Sequence, residues 1–433
     1  MSVLNKTLEL LEESNLFLTG GAGVGKSYLT KEIIDDYKNN YRGVIVLGST
    51  GISAVNVGGQ TIHSFFVFGI ASNFDELKTA DRYSRNRIKE LAKILKKTDL
   101  LVIDEISMVS SELLDMILYR LRNAKYSGRV LVVGDFYQLP PIRKQTNNNS
   151  IFTDNLYAFE SSAWDMLDFV GVELTTIKRT SNEEFMKILE KVRVGDVDSQ
   201  ALLYLNSLRR QEFDQRAEAT ILFGRNYEAD LLNAQKVADV PRTEYNLPAI
   251  LNIKDEKLNK NRIESWKKSL PIIVDLKLKE GIPIIFTTNK WGTYHNGEKG
   301  FVEHIDEDSI VIEKEGRLVK VDRCEFDLTQ SQVDDKGELD FKILCTLKQF
   351  PIRPAYAITI HKSQGMSLNQ LICNVDHIFA DSQFYVALSR AIDPKRLKIN
   401  YKGNDFENYL KRVVSVNESV KIYYENSNFI KLD

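Results

Sequence analysis

Eight consecutive residues, Gly20-Gly21-Ala22-Gly23-Val24-Gly25-Lys26-Ser27, have the types and spacing that hold a triphosphate. They fit G-x-x-x-x-G-K-[S/T] and lie between a short apolar run and an amphipathic stretch. The glycines let successive backbone N–H groups curl around phosphate oxygens. Lys26 can neutralise the β- and γ-phosphates, and the Ser27 hydroxyl can bind magnesium. Farther along, the apolar run Leu100-Leu101-Val102-Ile103 delivers Asp104 and Glu105 at its carboxyl end, where open α/β sheets place their ligands. Asp104 can hold the magnesium ion, directly or through water, while Glu105 can polarise an attacking water. Gln138, in Gly134-Asp135-Phe136-Tyr137-Gln138-Leu139-Pro140-Pro141, is polar and uncharged and can hydrogen-bond both a γ-phosphate and that water. This chemistry is the hydrolysis of ATP or a related nucleoside triphosphate.

Such residues need strands to present them. Asn15 to Thr19, Val44 to Leu47, Leu100 to Ile103 and Val130 to Val133 are short, continuous apolar runs, the pattern of strands buried on both faces of a parallel sheet. Between them lie amphipathic segments such as Ser111 to Leu121, with Leu114, Ile117, Leu118 and Leu121 at helical spacing. This alternation predicts a doubly wound α/β layer. A charged, poorly periodic insertion interrupts it from about Phe65 to Lys97. A second α/β set follows, with runs at Thr220 to Phe223 and Leu371 to Val375. Between those runs, Asn252 to Lys268 is a Lys/Asn-rich connector. Gly281 to about Cys345 holds short strands separated by turn residues, the spacing of a small antiparallel barrel.

Composition narrows the partners. Across 433 residues, 58 Lys and Arg face 60 Asp and Glu, a formal net charge of -2. Any nucleic acid must therefore be held in a local groove, because no bulk positive surface exists. Cys324, Cys345 and Cys373 form neither a disulfide framework nor a zinc pattern, which suits a reducing interior. The amino terminus has no charged-then-apolar leader layout, and no run of roughly 18 apolar residues suggests a membrane span. The expectation is a cytoplasmic protein with no membrane partner.

The motifs, taken in order, resemble those of superfamily-one DNA helicases, especially the Pif family and its RecD-like relatives. The resemblance rests on Gly134 to Pro141 after the Asp-Glu strand, and on Ser49-Thr50-Gly51-Ile52-Ser53-Ala54 followed by Thr61-Ile62-His63-Ser64-Phe65. It extends through Glu173-Leu174-Thr175 leading to Lys178-Arg179, and through Asn296 to Gly300. It ends with Ala357-Ile358-Thr359-Ile360-His361-Lys362-Ser363-Gln364-Gly365-Met366-Ser367 and Tyr385 to Ala391, which contains Arg390.

That resemblance implies two RecA-like parallel-sheet motor domains. The first would span 1–175, with a small pin-bearing insertion near 65–97. The second would span 176–401, interrupted by the connector and a small β-barrel insertion near 253–345. A short tail, 402–433, would follow, with Val413, Val414 and Val416 covering the second domain. Arg179 and Arg390 would stabilise the transferring phosphoryl group, and Gly365 would join the nucleotide site. Single-stranded DNA would run along Thr50, Gly51, His63, Ser64, Thr359, His361, Lys362 and Ser363. Of the aromatics Phe65, Phe66, Phe68, Phe136, Tyr137 and Tyr356, Phe65 and Phe136 are the preferred base stackers. The sequence departs from many relatives in having no glutamine before Gln60, so an adenine-reading glutamine upstream of the phosphate loop is missing; Asn5 offers the same amide chemistry.

The function implied is a monomeric, ATP- and Mg2+-dependent DNA helicase that travels 5′ to 3′ on single-stranded DNA. It would unwind tailed or forked duplex, with G-quadruplexes and RNA–DNA hybrids as further substrates, in replication, recombination, repair or telomere maintenance. Two other readings remain open. One is a translocase that displaces proteins without unwinding; the other is an assembly ATPase that switches a protein interface.

Overall fold

The computed structural model describes residues 2–50, 53–54, 59–69, 71, 73–141, 156–212, 219–290, 292–334 and 337–433. Gly51, expected on the DNA track, lies outside the described residues. The chain divides into two units. Unit 1 is Met1–Lys178, Thr329–Lys342 and Asn417–Asp433; unit 2 is Arg179–Leu328 and Ile343–Val416.

In unit 1 the apolar runs become the strands of one sheet. They are β1 (Asn15–Thr19), β2 (Val44–Gly48), β3 (Gln60–Thr61), β4 (Leu100–Asp104), β5 (Arg129–Val133) and β6 (Phe169–Leu174). The order runs from the carboxyl-terminal strand Ile430–Leu432 through β6, β1, β5, β4 and β2 to β3, and every pairing is parallel. Helix α1 (Val3–Glu13) precedes β1, and α2 (Lys26–Asn39) follows it. Leu29, Ile33, Ile34 and Tyr37 of α2 share one core with Leu16, Leu18, Val102 and Leu131 from the sheet. Burying each such side chain stabilises the fold by roughly 1.5–3 kcal/mol. That packing fixes α2, and hence the loop before it, against β1.

The rest of unit 1's first segment is helical. The tetrad α3 (Ile62–Phe65) is capped by Thr61, whose hydroxyl accepts the Ser64 N–H. The charged insertion folds as two helices, α4 (Phe74–Tyr83) and α5 (Arg85–Lys96), ahead of α6 (Ser111–Ala124). Phe17 and Phe136 lie in an aromatic cluster with Phe159, Trp164 and Tyr423; the Phe136–Phe159 and Phe159–Tyr423 centroids are 4.8 and 4.4 Å apart.

The expected tail over the second domain divides: its first part lies there, and its last 17 residues do not. The helix Phe406–Val413 belongs to unit 2, with Val413 and Val414 buried there. Asn417–Asp433 belongs to unit 1, where Ile430–Leu432 pairs with Val172–Leu174 of β6. Gly171 makes room: a Cβ there would lie 2.6 Å from Phe429 Cδ1.

Unit 2 has a second parallel sheet of β7 (Thr220–Phe223), β8 (Ala357–Thr359), β9 (Leu371–Asn374) and β10 (Leu397–Asn400), in the order β8-β7-β9-β10. Two parallel-sheet α/β units therefore stand where the apolar runs place them. The antiparallel strands between β7 and β8 occupy the region, 253–345, expected to hold the small antiparallel barrel. Among the described residues they pair as an open five-stranded sheet, in the order Arg317–Asp322, Ser309–Lys314, Lys299–Ile305, Pro283–Phe286, Ile352–Pro354. Pro354, in the edge strand, has no N–H with which to continue a ladder. Cys324–Val333 and Leu339–Gln349 form a separate sheet with Ile250–Ile253.

Tyr423, in the helix Glu418–Asn426, ties the carboxyl-terminal segment to the aromatic cluster. Tyr423→Ala is expected to lower the unfolding free energy by about 2–4 kcal/mol through the cavity it leaves. Urea unfolding measures this, and a loss below about 0.5 kcal/mol would show the carboxyl-terminal segment to be a passive cover.

Candidate nucleotide site and nucleic-acid surface

The glycine loop leaves β1 and turns into α2. Gly20 has φ 134°, and a Cβ there would lie 2.4 Å from the Leu174 carbonyl oxygen, so no other residue fits. Gly23 and Gly25 also have positive φ, 83° and 97°. The α2 ladder begins with Leu29 N–H donating to Gly25 O at 3.0 Å. The amides before it point out of the helix amino terminus, which favours an anion. Lys26 Nζ bends back to donate to the Gly20 and Gly21 carbonyls at 2.7 and 3.0 Å, laying its ammonium along the loop. Ser27 is exposed in the first turn of α2.

The carboxylates stand at the end of β4, where Asp104 pairs in register with Gly48 and Val133. Burial, then the charge of Glu105, pushes the Asp104 carboxyl up from its usual 3.8 to about 7, although the Glu105 amide and the Lys26 ammonium pull the other way. Glu105 itself is left-handed, with φ 55°. A backbone held in that region by its surroundings is a feature of functional turns. At the end of β5, Gln138 is nearly buried and donates from Nε2 to Asp135 Oδ2 at 3.3 Å; Asp135 also accepts the Tyr137 N–H at 3.2 Å. Asp135 thus fixes the direction of Gln138.

In unit 2 the two arginines meet at one residue. Arg179 Nη1 donates to the Ser389 carbonyl at 2.8 Å. Arg390 is only 1% exposed, with Nε on Val386 O at 2.9 Å and Nη2 on the Ser389 hydroxyl at 2.8 Å. Its Nη1 faces the carbonyls of Ser363 and Met366 at 3.4 and 3.5 Å. The helix α7 (Gln383–Leu388), which leads to it, is buried along its whole length. Gly365 has φ 78° and open space around it.

The expected DNA contacts divide. His361 and Lys362 are half-buried at the unit 2 surface, and burial holds both below their usual pKa, so His361 is neutral at pH 7. Thr50, His63 and Ser64 are half-buried in unit 1, the Thr50 hydroxyl exchanging hydrogen bonds with Ser53. Four expectations need correction. Phe136 is 1% exposed inside the aromatic cluster, so neither ring face is open to a base. Phe65 is 5% exposed, its ring edge-on to Phe66. The Thr359 hydroxyl is buried and donates to Asn226 Oδ1 at 3.3 Å. That of Ser363 is buried and donates to Ile360 O at 2.8 Å. These two hydroxyls shape the segment and are not offered to a ligand.

With this geometry the comparisons agree. A family profile described as "PIF1-like helicase" matches residues 2–202, and one described as "Helicase" matches 309–420. The ATP-dependent DNA helicase Pif1 of Campylobacter jejuni is 38% identical over 443 aligned residues, covering 100% of this chain and 99% of that protein. This chain belongs to the Pif1 helicase family. The crystal structure of Bacteroides sp. Pif1 in complex with ADP-AlF4 superposes with a TM-score of 0.82 at 28% identity, over 98% of this chain and 95% of that one. Bacteroides Pif1 bound to ssDNA superposes with a TM-score of 0.66 at 29% identity, over the same shares. ATP hydrolysis coupled to DNA strand separation is the activity of this Pif1-family chain.

Sequence reasoning about this Pif1-family helicase missed three residues. Asp135 stood unremarked within its motif; an acid at the end of an apolar strand, three residues before Gln138, was the available signal. The Lys178 N–H donates to Gly23 O at 2.8 Å, and its Nζ lies 3.9 Å from where a Gly25 Cβ would be, so a second cation overhangs the phosphate loop. Phe379 is 64% exposed with its ring nearly parallel to His361, the centroids 6.3 Å apart. It offers the free aromatic face that Phe65 and Phe136 lack, and nothing in its spacing marks it.

The Asp104 shift has a stability consequence. A carboxyl raised from 3.8 to about 7 contributes stability that is fully present below pH 3.8 and is lost as pH rises through 7. Without nucleotide or divalent ions, Asp104→Asn is therefore expected to raise the thermal midpoint at pH 8 by more than at pH 5. An equal effect at both pH values would refute the raised carboxyl. Arg390→Ala, which strands several buried carbonyls, is expected to destabilise the protein by about 1–3 kcal/mol. Arg179→Ala, which frees one carbonyl, should cost less than half as much in the same urea titration.

Proposed function

We propose that the chain translocates 5′ to 3′ on single-stranded DNA as a monomer and unwinds tailed or forked duplex, using ATP with Mg2+. The observation that carries this is the full-length likeness to Pif1 helicases, combined with one chain holding the phosphate loop, both carboxylates and both arginines. A Pif1 of the same fold has been solved bound to ssDNA, which supports the choice of partner. The direction rests on the likeness of the motifs to the Pif and RecD-like branch.

In this reading the amides of Gly21, Ala22, Gly23, Val24, Gly25, Lys26 and Ser27 hold the phosphates, and Lys26 supplies their charge. The donor set fits a magnesium ion: a hydroxyl at Ser27 and two adjacent carboxylates crowded enough to raise one of them. Ser27 and Asp104 would hold that ion, which would neutralise charge on the β- and γ-phosphates. Glu105 polarises the attacking water, and Gln138, aimed by Asp135, orients it. Arg179 and Arg390 stabilise the transferring phosphoryl group, an effect on the order of 10³–10⁵ in rate in arginine-finger systems. Gly365, whose surroundings are open, would join the nucleotide site. DNA is held by Thr50, Gly51, His63, Ser64, His361 and Lys362, with Phe379 as the stacking ring. Replication, recombination and repair supply such substrates, with telomeric DNA, G-quadruplexes and RNA–DNA hybrids as further ones.

Strand displacement on 5′-tailed, 3′-tailed and blunt duplexes tests the proposal, with unwinding expected on the 5′-tailed duplex. Unwinding of the 3′-tailed duplex alone would reverse the direction. Stimulation of ATPase by DNA without displacement would favour a protein-stripping translocase, and no stimulation at all an assembly ATPase. Lys26→Ala is expected to abolish hydrolysis, while Glu105→Gln keeps nucleotide binding and loses about 10²-fold or more in turnover; near-normal turnover in either variant would remove that residue from the site.

Binding should respond to salt in a limited way. Three to five cationic contacts to a single strand give a slope of log affinity against log salt of roughly −2 to −3.5. Lys362→Ala should make it shallower by about 0.7, whereas Phe379→Ala should weaken binding at unchanged slope. A slope steeper than about −6 would reveal a broad basic surface instead.

A further inference from the structure

The α4–α5 hairpin carries a charge distribution that the motor chemistry leaves unused. Between Lys78 and Lys97, eight lysines and arginines stand against two acids, in a chain of net charge -2. The two helices flank a shallow, open depression of about 400 Å³ lined by Lys78, Asp81, Arg82, Arg85, Ile88 and Lys89. Its one acid is already taken. Asp81 is held from beneath by both Nη atoms of Arg120, at 2.5 and 2.8 Å, and Arg120 is 2% exposed and anchored through Nε to the Phe66 carbonyl. Glu90 is paired with Lys93 at 2.9 Å, and Lys78 is only loosely paired with Asp75 at 3.6 Å. Arg82, Arg85 and Lys89 have no ion-pair partner among the described residues.

Such an arrangement does not serve the fold. Arg85 and Lys89 are like charges at i and i+4 on one helix, which destabilises it. A merely solvated helix face would mix the signs. Between Arg82 and Arg85 stands Tyr83, 88% exposed, which contributes no core packing. Uncompensated cations and an exposed aromatic ring on one short segment are the features with which proteins hold unpaired nucleic acid: cations for phosphates and a ring for a base face. A paired base offers no such face. None of the lining residues belongs to the motifs assigned to the motor. Lys97 stands apart from these residues: its Nζ lies 3.9 Å from where a Gly337 Cβ would be.

We propose that the α4–α5 hairpin is a second DNA site. It holds the unpaired strand that the motor does not travel on, with phosphates on Arg82, Arg85 and Lys89 and a base on Tyr83. This rests on the helicase reading, because only strand separation creates that second unpaired arm. Holding the arm would keep the separated strands from re-pairing.

The test uses the full chain with three probes: a two-armed fork, a single-tailed duplex and a bare single strand. In the Arg82→Ala/Arg85→Ala/Lys89→Ala variant, affinity for the two-armed fork is expected to fall about tenfold, and its salt slope to become shallower by about 2, at about 0.7 per contact. Affinity for the single-tailed duplex and ATPase stimulation by the bare strand should stay within about twofold. Tyr83→Ala, which removes an exposed ring and so spares the fold, should weaken fork binding about fivefold or more with no change in slope, and Tyr83→Trp should restore it. Unchanged fork affinity in both variants overturns the proposal. So does an equal loss on the single-tailed duplex, which would assign the cations to duplex phosphates, or a parallel loss of ATPase stimulation, which would assign them to the motor track. Failure of the parent chain to show any DNA-stimulated hydrolysis would instead fail the helicase reading on which the site depends.

Discussion

A parallel sheet covered on both faces has no room for polar chemistry except at the ends of its strands. In unit 1 this constraint places the groups proposed for the nucleotide site. β1 runs into Gly20 and the phosphate loop, β2 into Ser49 and Thr50, β4 into Asp104 and Glu105, β5 into Asp135 and Gln138, and β6 toward Lys178. Because all the strands point the same way, all these ends lie along one edge of the sheet, and residues far apart in sequence become neighbours. The continuous apolar strand interiors, with Leu16, Phe17 and Leu18 all buried, make the arrangement rigid.

Buried charge then sets the finer geometry. Asp135 aims Gln138; Arg120 holds Asp81 and the Phe66 carbonyl together; Arg390 gathers the carbonyls of Val386, Ser363 and Met366. Each of these groups would be costly to bury unpaired, so each specifies one arrangement of its surroundings. In unit 2 the Arg390 motif and the H-K-S-Q-G segment are thereby one hydrogen-bonded structure: Arg390 bonds to the Ser363 carbonyl, one residue from Lys362. A helicase must make its grip on DNA depend on the state of its nucleotide, and a shared buried arginine is a physical means of linking those residues.

Much of the nucleotide site was legible from sequence because its chemistry demands particular residues at short spacing. Gly20 is required by a carbonyl 2.4 Å from its missing Cβ, Lys26 by the charge of phosphate, and Asp104-Glu105 by a strand end. The α/β character of both units was legible for a similar reason, since a strand buried on both faces must be apolar throughout. The DNA-facing aromatics were not. Phe65, Phe136 and Phe379 look alike as letters, and only packing shows that the first two face inward while the third is bare.

The sequence by itself thus determined the phosphate loop, the carboxylate pair, the parallel strands and the order of the motifs, since each is a local pattern tied to one backbone conformation or one reaction. Tertiary structure alone decided which hydroxyls of the Thr359–Ser363 segment are spent on the fold, and that Lys178 overhangs Gly25. It also decided that the antiparallel strands form an open sheet, and that the final strand returns to β6 beside Gly171. These depend on contacts between residues tens to hundreds of positions apart. Burial and the vacancy left by a missing side chain settle such contacts, and neither has a period or a spacing in the chain.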